Sequence, residues 1–316
     1  MSDPIVVAAA QTAPVFRAKA ENLASIIDWT RRAHDLGAGV VVFPECSLTG
    51  YCYDNRGDAE ADAEEIPGPV TDRLAAVAAE LGVAVAVGLV ECAGRDLYNA
   101  AVLVDGTGVI GHHRKCHLPW EAVDRFVRPG DFPLRPIDTA WGRLGLLICY
   151  DLRFPEPARV LALAGVEVII NLTNLPLPGQ PQPDFFFQTR AAENRVWLVA
   201  ADRVGVERGV RFIGQSSIVD PAGRLVARGS ESEEELVIAE VDVSEARRKD
   251  LVFESGVYEL HLFSDRRPDL YGPLTVAGKD LAGKTEPDAR RATTSTARGS
   301  TSRRQGPGSG PRSPSR

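Results

Sequence analysis

Short apolar blocks and amphipathic stretches alternate along the first 250 residues of the chain. Residues 5–10, 40–43, 83–90, 98–104, 144–148, 166–171 and 196–201 are apolar runs that read as strands. Between them, Leu23, Ile26, Ile27, Thr30 and Ala33 mark one face of a helix over about 18–36. Further helical patterns cover 70–81, about 157–164 and 185–195, with Gly82 and Gly165 as natural stops. Gly106 and Gly108 turn the chain into 109–110. Prolines 176, 178, 181 and 183 give an irregular loop. The pattern then changes: 212–219, 225–227 and 236–241 read as an antiparallel ending with a turn at Asp220-Pro221-Ala222-Gly223, followed by a short helix over 244–249. Interleaved strands and helices with no linker between them predict one α/β domain rather than two.

The run 144–148 ends at Cys149, and Pro155 stands where a following helix would begin. A thiol at such a corner is held on a sharp bend, with backbone N–H groups facing whatever it attacks. A free cysteine in that place is also readily a small core hydrophobe. Two other segments carry possible chemistry. Glu45 follows a buried run and Pro44, which puts a carboxylate at a sheet edge, where active sites of α/β proteins gather. Lys115 sits in His112-His113-Arg114-Lys115-Cys116-His117 with no helical charge pattern. Alone, Glu45 reads equally as a solvated loop acid and Lys115 as a surface cation. The histidines and Cys116 raise zinc, but the spacing fits no usual ligand pattern and no CxxC or HExxH is present, so no metal is expected.

Composition narrows the class. With 316 residues, 44% of them hydrophobic and 25% charged, the chain can bury a substantial core. No apolar run approaches the roughly 18 residues that span a bilayer, and Met1-Ser2-Asp3-Pro4 lacks the basic start of a secretory signal. Five cysteines without framework spacing predict free thiols in a reducing cytoplasm. The net charge of −7 hides seven arginines and no acid in 289–316, so the remainder carries −14. An acidic body argues against a nucleic-acid-binding fold. The Arg/Ser/Gly/Pro composition of the tail predicts a disordered segment, 278–316, after a domain over 1–277.

Taken together and in this order, Phe43-Pro44-Glu45, Arg114-Lys115-Cys116-His117-Leu118 and Cys149-Tyr150-Asp151-Leu152-Arg153-Phe154-Pro155-Glu156 resemble the three motifs of the nitrilase, or carbon–nitrogen hydrolase, superfamily. The resemblance covers about residues 5–265. Arg190-Ala191-Ala192-Glu193-Asn194-Arg195, Ala201-Asp202-Arg203-Val204-Gly205 and Phe212-Ile213-Gly214-Gln215-Ser216 support it. It implies an αββα sandwich whose subunits pair into homodimers or larger assemblies, with residues 250–271 expected as the contact arm, exposing Tyr258, Leu260, Leu262 and Phe263. It implies Glu45 as base, Lys115 as oxyanion-stabilising cation and Cys149 as nucleophile, with the Tyr150 N–H as a second oxyanion donor and no cofactor. A second acid falls to Glu121 or Asp124, with Glu121 preferred because the family uses glutamate. Tyr51, Asn174 and Phe187 are expected to line the pocket. The Cys-Tyr-Asp form looks more like aliphatic amidases than plant-type nitrilases, so cleavage of a small aliphatic amide is expected. Nitrile and N-carbamoyl substrates, or a catalytically silent binding protein on this fold, are the alternatives.

Overall fold

Two six-stranded sheets lie face to face, each built on three parallel central strands. The computed structural model describes residues 4–276, so the arginine-rich tail expected from 278 onward lies outside the described residues. The described residues fall into two units, 4–265 and 266–276. The described part of the second holds two 3-10 turns, Pro268–Leu270 and Gly272–Thr275, and an Arg267–Asp269 ion pair at 2.7 Å.

The first unit runs β1 (Ile5–Gln11), α1 (Lys19–Asp35), β2 (Val40–Val42), α2 (Arg56–Asp62), α3 (Pro69–Leu81), β3 (Ala84–Ala93), β4 (Asp96–Asp105) and β5 (Gly108–Arg114). It continues with β6 (Ile137–Thr139), β7 (Gly142–Ile148), α4 (Pro155–Leu163), β8 (Val168–Thr173), α5 (Phe187–Asn194) and β9 (Trp197–Asp202). The small strands β10 (Val206–Glu207) and β11 (Val210–Arg211) pair with each other. Then come β12 (Ser217–Val219), β13 (Leu225–Arg228), β14 (Glu235–Val241), α6 (Val243–Arg247), β15 (Asp250–Glu254) and β16 (Tyr258–His261). One sheet has the order β14-β1-β2-β3-β4-β5 and the other β13-β12-β9-β8-β7-β6.

Strand periodicity builds the layers. In the first sheet Val7, Ala9, Val40, Val42, Ala84 and Ala86 point into the core shared with the second sheet. Their neighbours Ala8, Ala10, Val41, Val85 and Val87 point the other way, against Ile26, Ile27 and Ala33 of α1 and Leu74, Val77 and Ala78 of α3. Ala158 and Leu161 of α4 and Phe187 and Ala191 of α5 cover the second sheet. The result is the αββα sandwich that the motif resemblance implies. Local signals set the helix ends: Pro69 opens α3 beside Gly68, whose N–H donates to Thr71 Oγ1, and Gly82 closes it at φ +67°.

Three regions depart from the sequence reading. The segment 212–219 is not one strand, because the chain turns at Gln215, φ +61°, before Ser217 resumes pairing. The 250–271 run is not irregular at its start: β15 and β16 form an antiparallel hairpin with Phe253 stacked on Tyr258 at 4.6 Å. On that hairpin Tyr258 is exposed, whereas Leu260, Leu262 and Phe263 are half-buried, and Phe263 packs against the main core. Phe187, expected at a pocket wall, is fully buried in that core.

The two sheets present the carboxyl ends of their parallel strands to one region, and a close approach fixes it. A Cβ on Gly88, in the middle of β3, would lie 2.5 Å from the backbone nitrogen of Cys46 and 2.8 Å from Cα of Glu45. We expect Gly88→Ala to cost about 1–3 kcal/mol through overpacking and to displace Glu45. A thermal melt and an activity assay on the same preparation read both effects, and unchanged values in both would contradict the close approach.

Candidate active site

Glu45 stands just past the end of β2, Lys115 just past β5, Cys149 just past β7 and Asn174 just past β8. Crevices outside the carboxyl ends of parallel strands are where α/β folds gather reactive groups. Both the glutamate and the cysteine segments turn sharply. Cys46 has φ +47° and Cys149 φ +44°, the left-handed region that non-glycine residues seldom occupy. At Cys149 this turn runs into a short 3-10 segment, Cys149–Arg153, before Phe154 caps α4 and Pro155 takes its first position.

Lys115 is completely buried, and its Nζ donates to Glu45 Oε1 and Asp124 Oδ2, each at 2.6 Å. Asn99, in the middle of β4, donates through Nδ2 to the same Glu45 oxygen at 2.7 Å and to Asp124 Oδ1 at 2.9 Å. The Tyr51 hydroxyl donates to Asp124 Oδ2 at 2.9 Å. Asn174 donates through Nδ2 to the Glu45 carbonyl at 2.8 Å, and its backbone carbonyl oxygen lies 4.0 Å from Cys149 Sγ. The second Glu45 oxygen, Oε2, is buried and has no hydrogen-bond partner among the described residues. Tyr150 follows Cys149 on the 3-10 turn, half-buried, with its ring edge-on to Phe154.

Burial governs the ionisation of the cluster. It raises the Glu45 carboxyl from the ordinary range to about 7, against the opposing pull of the Lys115 charge. It would lower Lys115, but Asp124 and Glu45 hold the ammonium charged. Burial and the neighbouring Glu45 charge push the Cys149 thiol well above the usual cysteine range, with Lys115 opposing them. The thiol is therefore protonated at rest, and its use as a nucleophile needs a proton acceptor close by.

The second acid corrects the sequence preference. Asp124, not Glu121, is the carboxylate on Lys115; Glu121 is half-buried, and burial raises its carboxyl. Spacing could not separate them, because the 3-10 turn Ala122–Arg125 decides which side chain swings inward. Asn99, Arg203 and Glu207 were missed. Glu207 accepts from the backbone N–H groups of Tyr51 and Cys52 at 2.8 and 2.6 Å and pairs with buried Arg203 at 2.6 Å, which holds the Tyr51 loop in place. A polar Asn99 inside the apolar run 98–104 was the available signal. His113, Cys116 and Asp151 bring three potential metal-ligating atoms within 4.8 Å. The Asp151 oxygens are already taken by five donors, and burial pushes the Cys116 thiol up to about 12, so this donor set fits a hydrogen-bonded cluster better than a cation site. Surface cavities of about 500 Å³ beside Arg143 and Glu167 and about 330 Å³ beside Phe132 and Leu134 include none of Glu45, Lys115, Asp124 or Cys149 in their walls. Chemistry, not volume, marks the site.

Removing the cation should expose the electrostatic stakes. Lys115→Met leaves two buried carboxylates facing each other and should destabilise the fold by about 3–5 kcal/mol. Adding Asp124→Asn should recover part of that loss. Denaturant unfolding of both variants checks the prediction.

Comparison with known proteins gives a consistent picture. The family described as carbon-nitrogen hydrolase matches residues 6–249. A nitrilase of Pyrococcus abyssi is 40% identical over 243 residues, 76% of this chain and 89% of that protein. An N-carbamoylputrescine amidase of Solanum lycopersicum is 33% identical, covering 80% of this chain and 89% of its own. Among solved structures, an amidase from Nesterenkonia sp. superposes with TM-score 0.71 at 25% identity, over 87% of this chain and 97% of that one. A variant of the amidase from Nesterenkonia sp. AN1 carries the acetamide moiety of fluoroacetamide covalently on its active-site cysteine.

Proposed function

The chain belongs to the carbon–nitrogen hydrolases, and from that membership we propose that it cleaves a small aliphatic amide to a carboxylate and ammonia through a thioester at Cys149. The observation that carries this reading is the buried Glu45–Lys115 contact beside a thiol on a left-handed turn. Glu45 takes the proton from the Cys149 thiol, and the sulfur attacks the amide carbon. The oxyanion that forms lies against the Lys115 ammonium and the Tyr150 N–H. The C–N bond breaks as Glu45 returns its proton to nitrogen, and ammonia leaves. Water then attacks the thioester, giving a proton to Glu45, and the carboxylate departs as sulfur regains its proton.

A base raised to about 7 suits both proton transfers near neutral pH, because proton acceptance and return are then nearly balanced. Tyr51 and Asn174 form the polar wall around the reacting carbon in this reading. A nitrile or an N-carbamoyl amine would use the same residues, and the relatives named nitrilase and N-carbamoylputrescine amidase support those alternatives. The exposed hairpin residues Val252, Phe253 and Tyr258 support pairing with a second copy, and the five free cysteines support a reducing cytoplasm.

Ammonia release from a panel of short amides, nitriles and carbamoyl compounds tests the reading. Short amides should turn over fastest, and Cys149→Ala should abolish release. The acid limb of kcat/KM should fall near pH 7 rather than near 4.5: Glu45 must be ionised to act, and its folded-state value is raised, so activity is lost as pH drops through that value. Wild-type turnover by Cys149→Ala would end the proposal.

A further inference from the structure

Asp151 lies two residues beyond the nucleophile and is completely buried, and its carboxylate receives five hydrogen bonds. Oδ1 accepts from the backbone N–H of Cys116 at 3.1 Å, the backbone N–H of His117 at 2.9 Å and His117 Nδ1 at 2.8 Å. Oδ2 accepts from His113 Nε2 at 3.0 Å and from the backbone N–H of Ile148 at 3.3 Å. These donors have a pattern. His113, Cys116 and His117 bracket Lys115 on both sides, and Ile148 and Asp151 bracket Cys149 on both sides. One carboxylate therefore staples the exit of β5 to the exit of β7.

We propose that Asp151 is a positioning residue that sets the placement of Lys115 relative to Cys149. The proposal rests on the roles assigned to those two residues above. An ionised carboxylate only accepts, so both imidazoles must present an N–H to it: His113 through Nε2 and His117 through Nδ1. The bonds from His113 and His117 outweigh burial and hold the Asp151 carboxyl well below its ordinary range, so it stays ionised across the working pH. The staple is further braced because the His117 ring stacks on Phe154 at 4.0 Å, and Phe154 caps α4. Lys115 in turn lies against Glu45, so a slack staple loosens the base as well as the oxyanion cation.

The test uses the full-length protein and two readouts, one of which needs no substrate. Asp151→Asn keeps the volume but places an amide where two imidazole N–H groups point. We expect kcat on the amide found by the panel to fall by about 10–100-fold, the scale of an ångström-sized misplacement, with KM changed less than about twofold, since binding groups are untouched. Alkylation of Cys149 by iodoacetamide, followed by peptide mapping, should slow by a similar factor while melting stays cooperative. His117→Asn leaves the three backbone bonds in place and should give a smaller loss in both readouts. If Asp151→Asn does not fold, His117→Asn decides by the same criteria. A folded variant with wild-type kcat and alkylation rate would overturn the proposal, as would a rise in KM at unchanged kcat, which would place Asp151 in substrate binding. If no panel substrate turns over, the amidase reading fails while alkylation still judges the staple.

Discussion

A buried ammonium held between two buried carboxylates is the constraint that the rest of this structure serves. Lys115, Glu45 and Asp124 have no exposed side-chain surface. Desolvating each ion costs several kcal/mol, which the attractions repay only when geometry and further hydrogen bonds are nearly ideal. The fold supplies those bonds from distant parts of the chain. Asn99 reaches both carboxylates from the centre of β4, and Tyr51 completes Asp124 from the loop after β2. One cation is shared between two carboxylates, so Lys115 only partly offsets the effect of burial on Glu45, and Asp124 adds to that effect. Burial and the Glu45 charge together keep the Cys149 thiol protonated against the pull of Lys115.

Holding such a cluster requires backbone that would be unfavourable elsewhere. Cys46 and Cys149 both take left-handed conformations, each an expense of about 1–3 kcal/mol that persists only where surrounding packing over-determines it. The packing is visible on the glutamate side, where β3 comes so close that a Cβ at position 88 would press on the backbone of residues 44–46. On the cysteine side the strands are buried on both faces. Leu144, Leu146, Leu147 and Ile148 all lie in the main core, so the end of β7 has no freedom to relax. A rigid sandwich and a strained elbow are thus two aspects of one arrangement.

Much of this was legible in the sequence, because the informative signals were local. Apolar runs gave the central strands, and the period of Leu23, Ile26, Ile27 and Thr30 gave α1. Glu45, Lys115 and Cys149 stood out because each interrupts or ends an apolar or mixed run with a residue type suited to chemistry. What escaped depends on pairings across long separations. Asn99 matters through Glu45, 54 positions away, and Glu207 through Tyr51, 156 positions away, so no window on the chain contains either relation. The choice between Glu121 and Asp124 turned on a single 3-10 turn, a local geometry that composition does not specify. The hairpin β15–β16 escaped because its strands expose apolar residues, which removes the alternation that marks a half-buried strand.

Among the buried carboxylates around the carboxyl ends of the central strands, Asp151, Asp202 and Glu45 are sorted by their surroundings into different roles. Asp151 receives five donors and is held ionised, so it can anchor but cannot exchange a proton usefully near neutrality. Burial pushes Asp202 well up; one of its oxygens holds the Leu175 and Arg203 N–H groups, while the other has no partner among the described residues. Glu45 lies between these extremes, with one oxygen tied to Lys115 and Asn99 and the other unpartnered among the described residues. A carboxylate can act as a reversible base near pH 7 when the cost of burying its charge outweighs, but only in part, the stabilisation its neighbours give that charge. Glu45 meets that condition because a single lysine is shared between it and Asp124. Its basicity is therefore a property of the sharing, and it is set by the same geometry that keeps Lys115 buried.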